Sequence, residues 1–332
     1  MISSIGSRTL ILAIMVFLTI ICLFASVKLP VLGAIVLSFA GLPAFLIILA
    51  WGGIWFLIYS AITVILAGLV GNISLAALLI PMLFVPAAVL SGNIKMGFSP
   101  LKAMGVTLFA ATAFSTASWF VATGMDDKEI LQIEKQFSLQ YSSIEKQLEK
   151  LQKDGEATPE TVEIMRESVR ETFDFLKLLV PVTFIFIWHL LSLAIFYAGA
   201  YKFAPKLGYR LQQFPGFASW RFDWNFIWLF LVGWFFYYVV SGIEGIPAAG
   251  AIKAIGANLL AISKIIYFLA GLSLLYFMFE KYQLGPLTRV GLSCLALVLS
   301  QAVVWLGIID IWADFRTPKP ALFTSDDSDG DF

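Results

Sequence analysis

Charge is concentrated in one short stretch of this chain, and that stretch constrains the fold more than any other feature. Residues 126–177 hold 13 of the 22 acidic and 8 of the 22 basic residues in a chain of 332. On both sides the sequence consists of long apolar runs with scattered charges. This pattern predicts two hydrophobic parts that are joined by one water-exposed insertion.

The apolar parts are too hydrophobic for a water-soluble protein. Only 13% of the residues are charged and 60% are hydrophobic, whereas about 25% charge is usual in a soluble domain. Lipid is therefore the expected solvent. The formal net charge is zero, and no dense run of Lys and Arg is present to neutralise phosphates, which argues against nucleic acid as a partner. Cys22 and Cys294 lack a second Cys or His at ligand spacing, so no metal or other cofactor is expected.

Nine apolar runs are long enough to cross a bilayer, which takes about 20 mostly apolar residues in a helix. The predicted fold class is all-α: a polytopic helical membrane protein of about nine transmembrane helices, with an extramembrane helical hairpin inserted between the fifth and sixth. Gly41-Leu42-Pro43 interrupts the second run and Trp51-Gly52-Gly53 separates it from the third, so it stays open whether both span. The nine runs are 9–27, 31–50, 52–70, 74–93, 101–123, 178–201, 225–243, 255–279 and 287–309.

Four parts follow from this pattern along the chain. Outside the charged insertion, nine bases fall in the loops on the side of the N-terminus and four on the other side, which predicts a cytoplasmic N-terminus and an external hairpin. The first run is expected to be a retained span, because no clean cleavage site follows it. The parts are an N-terminal membrane bundle of five spans (1–125), the extramembrane hairpin (126–177), a C-terminal membrane bundle of four spans (178–316) and an acidic tail whose composition predicts disorder (317–332).

The charged insertion itself predicts two amphipathic helices. Its apolar residues recur at spacings of three and four over 130–151, and a matching stripe follows Thr158. Lys153-Asp154-Gly155-Glu156-Ala157 is typical of a turn, and Thr158 followed by Pro159 is typical of a helix start. An antiparallel hairpin lets the two stripes bury each other. Its role stays open between a spacer and a docking surface, at 130–172, for a protein partner.

Polar side chains inside the apolar runs are costly in lipid, which makes them candidates for substrate binding. Lys264 suits a substrate carboxylate, and neutral amide and imidazole groups would orient the substrate by hydrogen bonds. Asn258 and Lys264 lie about 240° apart around a helix and therefore do not share a face. Structural alternatives are snorkelling of Lys264 to the interface and hydrogen bonds between helices for the others. The four candidates are His189, Asn258, Lys264 and Gln301.

Signals of catalysis are absent from the sequence. It has no phosphate-binding loop and no His-Glu-x-x-His motif, and its one histidine leaves no imidazole pair. No catalytic residue is predicted, and the chain is not expected to be an enzyme. Asp310 and Asp314 lie one helical turn apart, shortly before Arg316. They share a cation, or pair with Arg316, or belong with Trp312 to a capped and aromatic-anchored helix end.

The end of the chain resembles a known family. Residues 258–272, followed by Leu306-Gly307-Ile308-Ile309-Asp310-Ile311-Trp312-Ala313-Asp314-Phe315-Arg316, resemble the C-terminal half of the YybS-like family of uncharacterised bacterial multi-spanning membrane proteins. Gly41-Leu42-Pro43, the charged insertion and the stretch 217–228 are similar to the family's pattern. The resemblance implies a bacterial plasma (inner) membrane protein. The N-terminal spans also look like the substrate-binding components of energy-coupling-factor vitamin transporters, which capture a small molecule and rely on a partner ATPase.

Two functions are therefore expected in order of preference. The first is a small-molecule transport component that depends on a membrane or ATPase partner subunit for energy. The alternative is a non-catalytic membrane scaffold or assembly protein that recruits partners through its external hairpin and its cytoplasmic basic loop.

Overall fold

Helices form most of the described part of the chain and are joined by turns and loops such as 208–216. The computed structural model describes residues 5–28, 33–70, 73–123, 127–243, 248–313 and 315–316. No β-strand occurs within these ranges, and the all-α prediction is confirmed. The acidic tail 317–332 and Asp314 lie outside the described residues.

The chain divides into two compact units, Met1–Phe214 and Pro215–Phe332. The sixth predicted span belongs to the first unit, because its helix packs against helices of the first five. The predicted bundles 1–125 and 178–316 are divided at the charged insertion and not by contacts between helices. As domains they remain a prediction.

The described residues of the first unit form ten α-helices. Short π and 3-10 turns at Ile80–Phe84 and Ala204–Leu207 interrupt or extend them. The helices are α1 (Ile5–Lys28), α2 (Gly33–Ala40), α3 (Leu42–Ala50), α4 (Gly53–Val70), α5 (Ile73–Leu79), α6 (Val85–Lys95), α7 (Pro100–Thr123), α8 (Asp127–Lys153), α9 (Pro159–Leu179) and α10 (Val182–Phe203).

In the second unit, four α-helices occur among the residues that the structure describes. A π-helical segment, Phe235–Val239, and a 3-10 turn, Val240–Gly242, continue the first of them. The helices are α11 (Phe226–Trp234), α12 (Ala249–Lys281), α13 (Pro286–Val298) and α14 (Ser300–Ala313).

Five helices of the described chain are long and apolar enough to cross a membrane, or six if one bent pair is a single span. They correspond to the first, fourth, fifth, sixth and eighth predicted spans. The second, third and seventh correspond to shorter apolar helices, Ile35–Ala50, Gly53–Leu69 and Phe226–Gly242. Several apolar helices of membrane-spanning length are thus confirmed, whereas the count of nine spans is not.

The ninth predicted span, 287–309, is not one straight helix. Its two halves, α13 and α14, meet at an angle of 99°. Leu299 leaves the helical conformation there, with φ −91° and ψ 36°. No proline or glycine occurs at the bend, so its cause lies in the contacts of the two halves and not in local sequence.

Gly41 lies at the break between α2 and α3, where the stretch Gly41-Leu42-Pro43 predicts an interruption. A Cβ atom at this position would collide with the ring of Phe196 on α10. Phe196 is fully buried and stacks on Phe45 of α3, with ring centroids 6.1 Å apart. The missing side chain at Gly41 therefore makes room for the aromatic ring that joins α10 to α3.

Two glycines set the closest helix crossing of the second unit. A Cβ at Gly271 of α12 would collide with the Val303 carbonyl, and a Cβ at Gly307 of α14 with the Tyr267 carbonyl. A Cβ at Gly307 would also lie 2.8 Å from the Gly271 nitrogen, so the two glycines face each other at the crossing. Direct backbone contact of this kind is typical of helix pairs in membranes, where small residues allow close packing.

The helical hairpin predicted for the charged insertion is present as α8 and α9. Gly155 takes the left-handed conformation (φ +73°) in the turn, which glycine adopts without strain. Thr158 caps α9, because its hydroxyl accepts a hydrogen bond of 3.2 Å from the Thr161 N–H. Leu148 and Val162 are buried, which confirms the facing apolar stripes over the part whose side chains are described.

Phe173 holds the other end of this hairpin and offers a test of it. Its ring packs edge-on against Phe137 and Tyr141, with centroids 6.0 and 5.7 Å away. We expect Phe173→Ala to destabilise the α8–α9 pair by on the order of 3 kcal/mol, since a buried aromatic ring is lost. Limited proteolysis should then cut the hairpin faster. Ile164→Ala, at a position that is 62% exposed on α9, is the control and should change the cutting rate little.

Candidate functional site

The first unit contains a backbone carbonyl that its own helix leaves unpaired. Residues 80–84 form a π-helical turn, in which the Val85 N–H bonds to the Ile80 carbonyl five residues back. The corresponding donor for Pro81 would be residue 86, which is a proline without an N–H. The Pro81 carbonyl instead accepts a hydrogen bond of 2.9 Å from the Ser115 hydroxyl of α7. The turn thus depends on a side chain from another helix.

His189 of α10 is joined to this pair. Its Nε2 atom lies 2.8 Å from the Ser115 Oγ, and the side chain has no exposed surface. Ser115 has a single hydroxyl hydrogen, which the Pro81 carbonyl takes, so His189 must be the donor through Nε2–H. Assigned in this way, the imidazole carries a lone pair on Nδ1, a buried atom that has no hydrogen-bond partner in the structure. We call Pro81, Ser115 and His189 the π-turn site.

The face of α7 beside Ser115 carries two more hydroxyl groups. Thr112 and Thr116 lie three residues before and one residue after Ser115, so the three share one side of the helix. The hydroxyl oxygens of both threonines are buried without a hydrogen-bond partner. Unpaired polar groups cost several kcal/mol each in a lipid-like interior. Such a surface is suited to a guest that supplies the missing hydrogen bonds.

The tautomer of His189 can be measured directly. The chain contains one histidine, so labelling histidine with 15N reports on this side chain alone. We expect a protonated Nε2 and an unprotonated Nδ1 at neutral pH. Ser115→Ala removes the acceptor of the Nε2–H and should mix the two tautomers. A protonated Nδ1 in the unaltered protein would contradict the assigned network.

The second unit contains a buried ion pair between Asp310 and Arg316. The guanidinium Nε and Nη2 lie 3.0 and 2.9 Å from one carboxylate oxygen of Asp310. The side chains are only 4% and 11% exposed for Arg316 and Asp310. Of the alternatives that the sequence left open, the structure shows the pairing with Arg316. Trp312 of the same motif is exposed, at 72% of its surface.

Arg316 also joins the preceding loop to α12. The two N–H groups of its Nη1 are shared among three acceptors, the carbonyls of Ala218 and Trp220 at 2.8 and 2.9 Å and the Ser273 hydroxyl at 3.0 Å. The Phe277 ring centroid lies 5.9 Å from the guanidinium carbon. A planar group with five donors suits such a junction, because it can bond a carboxylate and several carbonyls at once. The contacts indicate a structural role.

The other sequence candidates do not form one cluster with each other. Asn258 is buried on α12 and its Nδ2 donates to the Ala254 carbonyl at 2.8 Å, whereas Lys264 of the same helix is exposed. Gln301 is exposed on α14. These three belong to the second unit and His189 to the first. Their role in substrate binding stays a prediction.

Sequence reasoning missed Ser115 and Pro81, which join His189 in the π-turn site. Ser115 is noticeable only as a small residue among alanines, and Pro81 only as a source of a kink. A proline pair five residues apart, Pro81 and Pro86, is the one signal that indicates an unpaired carbonyl. Within the described ranges, no group of three His, Cys, Asp or Glu side chains lies close enough to hold a metal ion.

Comparison with known proteins gives one match. The model of the family described as "Predicted membrane protein (DUF2232)" matches residues 16–311. This range includes the π-turn site and Asp310 but not Arg316. No curated protein and no solved structure matches the chain, and a similarity to energy-coupling-factor components is not shown. The resemblance to an uncharacterised membrane family is confirmed. The chain belongs to the DUF2232 family of predicted membrane proteins.

Proposed function

We propose that this protein is a small-molecule transport component of the bacterial plasma membrane and that the π-turn site receives its substrate. The observation that carries the proposal is the unpartnered Nδ1 of His189. A fully buried acceptor with no protein donor is costly unless another molecule supplies the donor. The ligand class follows from this chemistry: a small, largely apolar molecule with an N–H or O–H group.

Binding, and not catalysis, is the proposed use of this site. The Ser115 hydroxyl donates its hydrogen bond to a backbone carbonyl and not to a base, so it is not an activated nucleophile. Among the described residues, no carboxylate is hydrogen-bonded to His189 as an orienting third group would be. One acceptor and two hydroxyls suffice to orient a ligand by hydrogen bonds.

Two substitutions of His189 separate ligand binding from folding. Glutamine places an amide N–H near the Nε2 position, so His189→Gln keeps the bond to Ser115 and loses the Nδ1 acceptor. Asparagine places its carbonyl near Nδ1, so His189→Asn keeps the acceptor and loses the bond. We expect mass spectrometry of the protein purified in mild detergent to find a small molecule with the unaltered chain and His189→Asn, and none with His189→Gln. Gln213→Ala, at an exposed position of the loop after α10, is the control and should keep the molecule.

An energy source would come from a partner subunit, because the sequence contains no phosphate-binding loop. The same purification tests this point. An ATPase that copurifies would support a transport complex. An intact, ligand-free bundle that copurifies only with envelope proteins would overturn the transport proposal.

The proposed topology has nine membrane crossings, a cytoplasmic N-terminus and an external hairpin. It is supported by the nine-to-four distribution of bases in the short loops. Cysteine replacements of Lys206 and Lys150 should label from opposite sides of the membrane. Labelling of both from the same side would contradict this topology.

A scaffold role is the second candidate, and a feature of the hairpin favours it. The hairpin segment 126–177 carries 13 acidic and 8 basic residues, and this excess of negative charge suits a contact with a basic surface of a protein partner. Replacing 130–172 with a short Gly/Ser linker distinguishes the two functions. Loss of copurifying proteins with retention of the small molecule would assign the hairpin to assembly and leave the π-turn site to binding.

A further inference from the structure

One basic residue of α12 lies deep inside an apolar run. Lys264 is the tenth residue of the run 255–279, whereas Lys102 and Arg289 are the second and third residues of their runs. α12 has 33 residues and is long and apolar enough to cross a membrane. A cation at this depth of a span is costly in lipid and is therefore expected to have a partner.

The fold leaves Lys264 uncovered. From Gly256 to Phe279, a stretch that is described throughout, every other residue of α12 is buried or half-buried and Lys264 alone is exposed. Its ammonium forms neither a hydrogen bond nor an ion pair with any described residue. The packed part of α12 thus presents one unpaired charge.

The two ends of α12 lie too far away for this ammonium to reach water. Each end carries a lysine over a tyrosine ring, as is typical of a membrane interface: Lys253 lies 5.5 Å from the Tyr237 centroid and Lys281 lies 5.9 Å from that of Tyr282. The nearer base, Lys253, lies about 16 Å from Lys264 along the helix axis, or about 12 Å in depth at a tilt of about 40°. A lysine side chain extends only about 6 Å.

This chain provides no carboxylate at that depth. None of its nine apolar runs contains Asp or Glu, so neither another run of the chain nor a second copy has an acid for Lys264 inside the bilayer. Asp310 follows the last run, and its carboxylate is bonded to Arg316. The counter-charge therefore has to come from another molecule.

We infer that Lys264 marks the contact with a transmembrane helix of a second membrane protein, one that carries an aspartate or glutamate at this depth. A carboxylate and an ammonium that meet inside a bilayer offset each other's cost. The exposed position suits a neighbouring helix, because the contact leaves the packing of α12 unchanged. It is separate from the π-turn site and applies to a transport complex and to a scaffold alike.

A synthetic transmembrane peptide serves as the probe of this contact. Two leucine–alanine helices differ only in their central residue, glutamate or glutamine, and carry a fluorescent acceptor. The full chain, labelled with a donor at its N-terminus, is placed with either peptide in phosphatidylcholine vesicles slightly above neutral pH, which favours the carboxylate. We expect energy transfer to show that the glutamate peptide associates about ten times more tightly than the glutamine peptide.

Substitutions of Lys264 test the role of the charge. Lys264→Met removes the ammonium from an exposed position, so the fold should persist and the two peptides should associate equally. Lys264→Glu should favour a peptide with a central lysine over the glutamate peptide. Lys281→Met, at the exposed end of the same helix, is the control and should keep the preference for glutamate.

Four results in vesicles would overturn the inference. Two are equal association of both peptides with the unaltered chain and a preference that survives Lys264→Met. Loss of the preference in phosphatidylglycerol vesicles would assign the ammonium to an anionic headgroup. Loss of the preference on addition of acetate would assign it to a small carboxylate ligand.

Photocrosslinking in native membranes tests the partner itself. A benzophenone amino acid at Phe268, one turn from Lys264, should capture a protein with Asp or Glu inside an apolar run, and Lys264→Met should reduce this capture strongly. No capture, capture that Lys264→Met leaves unchanged, or a captured protein without such an acid would contradict the assignment.

Discussion

Replacing Arg316 with methionine is expected to destabilise the second unit by about 3–5 kcal/mol. The substitution keeps most of the side-chain bulk and removes the charge, which leaves the Asp310 carboxylate buried without its partner. The Ala218 carbonyl loses its Arg316 donor at the same time, and the Trp220 carbonyl is left with the Ser273 hydroxyl. The expected result is a lower midpoint of thermal unfolding in detergent, measured by helical circular dichroism and by the loss of monodisperse protein on heating.

The double variant Asp310→Leu, Arg316→Met distinguishes a lost ion pair from lost bulk. It removes both charges, so it should recover part of the stability that Arg316→Met alone loses. Arg210→Met, at an exposed position of the first unit, should leave the midpoint unchanged. If the double variant is as unstable as the single one, the ion pair is not the source of the effect.

Replacing Gly307 with leucine is expected to force α14 away from α12. The Tyr267 carbonyl and the Gly271 nitrogen occupy the space that any side chain at position 307 would take. Backbone atoms cannot rotate away as a side chain can, so we expect a cost of roughly 3 kcal/mol or more, at the upper end of what overpacking gives. Disulfide cross-linking between cysteines placed on α12 and α14 should slow, and the unfolding midpoint should fall.

Two other helical glycines show whether the crossing is responsible. Gly291 of α13 and Gly105 of α7 have no atom within 4 Å of the place where a Cβ would lie. Gly291→Leu and Gly105→Leu make the same chemical change without a collision, and a helix should tolerate either one or gain from it. A Gly307→Leu protein as stable as these two would show that α12 and α14 do not meet at Gly307.

Much of the helical architecture could be predicted, because it depends on local patterns. The hairpin of α8 and α9 follows from apolar spacing, a Gly155 turn and a Thr158 cap, which all act within a few residues of each other. Apolar length identifies α1, α7, α10 and α12 in the same way. The count of spans depends on more than length, since Phe226–Gly242 and its two counterparts are apolar but short.

The contacts that complete each unit could not be predicted from one sequence. His189 is a candidate because a polar group in an apolar run is costly, but its partner Ser115 lies 74 residues away and resembles any small packing residue. The bend at Leu299 has no proline or glycine beside it that would predict a break in the ninth apolar run. The Asp310–Arg316 pair has a spacing of six residues, which a continuous helix would place on different faces. It forms because the chain leaves its helix after Ala313.

The position of Arg316 in the chain has a consequence for biosynthesis. Its bonds to Trp220 and Ala218 close loops of 96 and 98 residues, and it follows α14, the last helix described. During synthesis, α11, α12 and α14 therefore emerge before the residue that ties them to the loop at 217–220. A nascent chain interrupted at residue 313 would contain every helix of the second unit and lack its fastening. Translation past Arg316 is thus the step after which this half of the protein can reach its final stability.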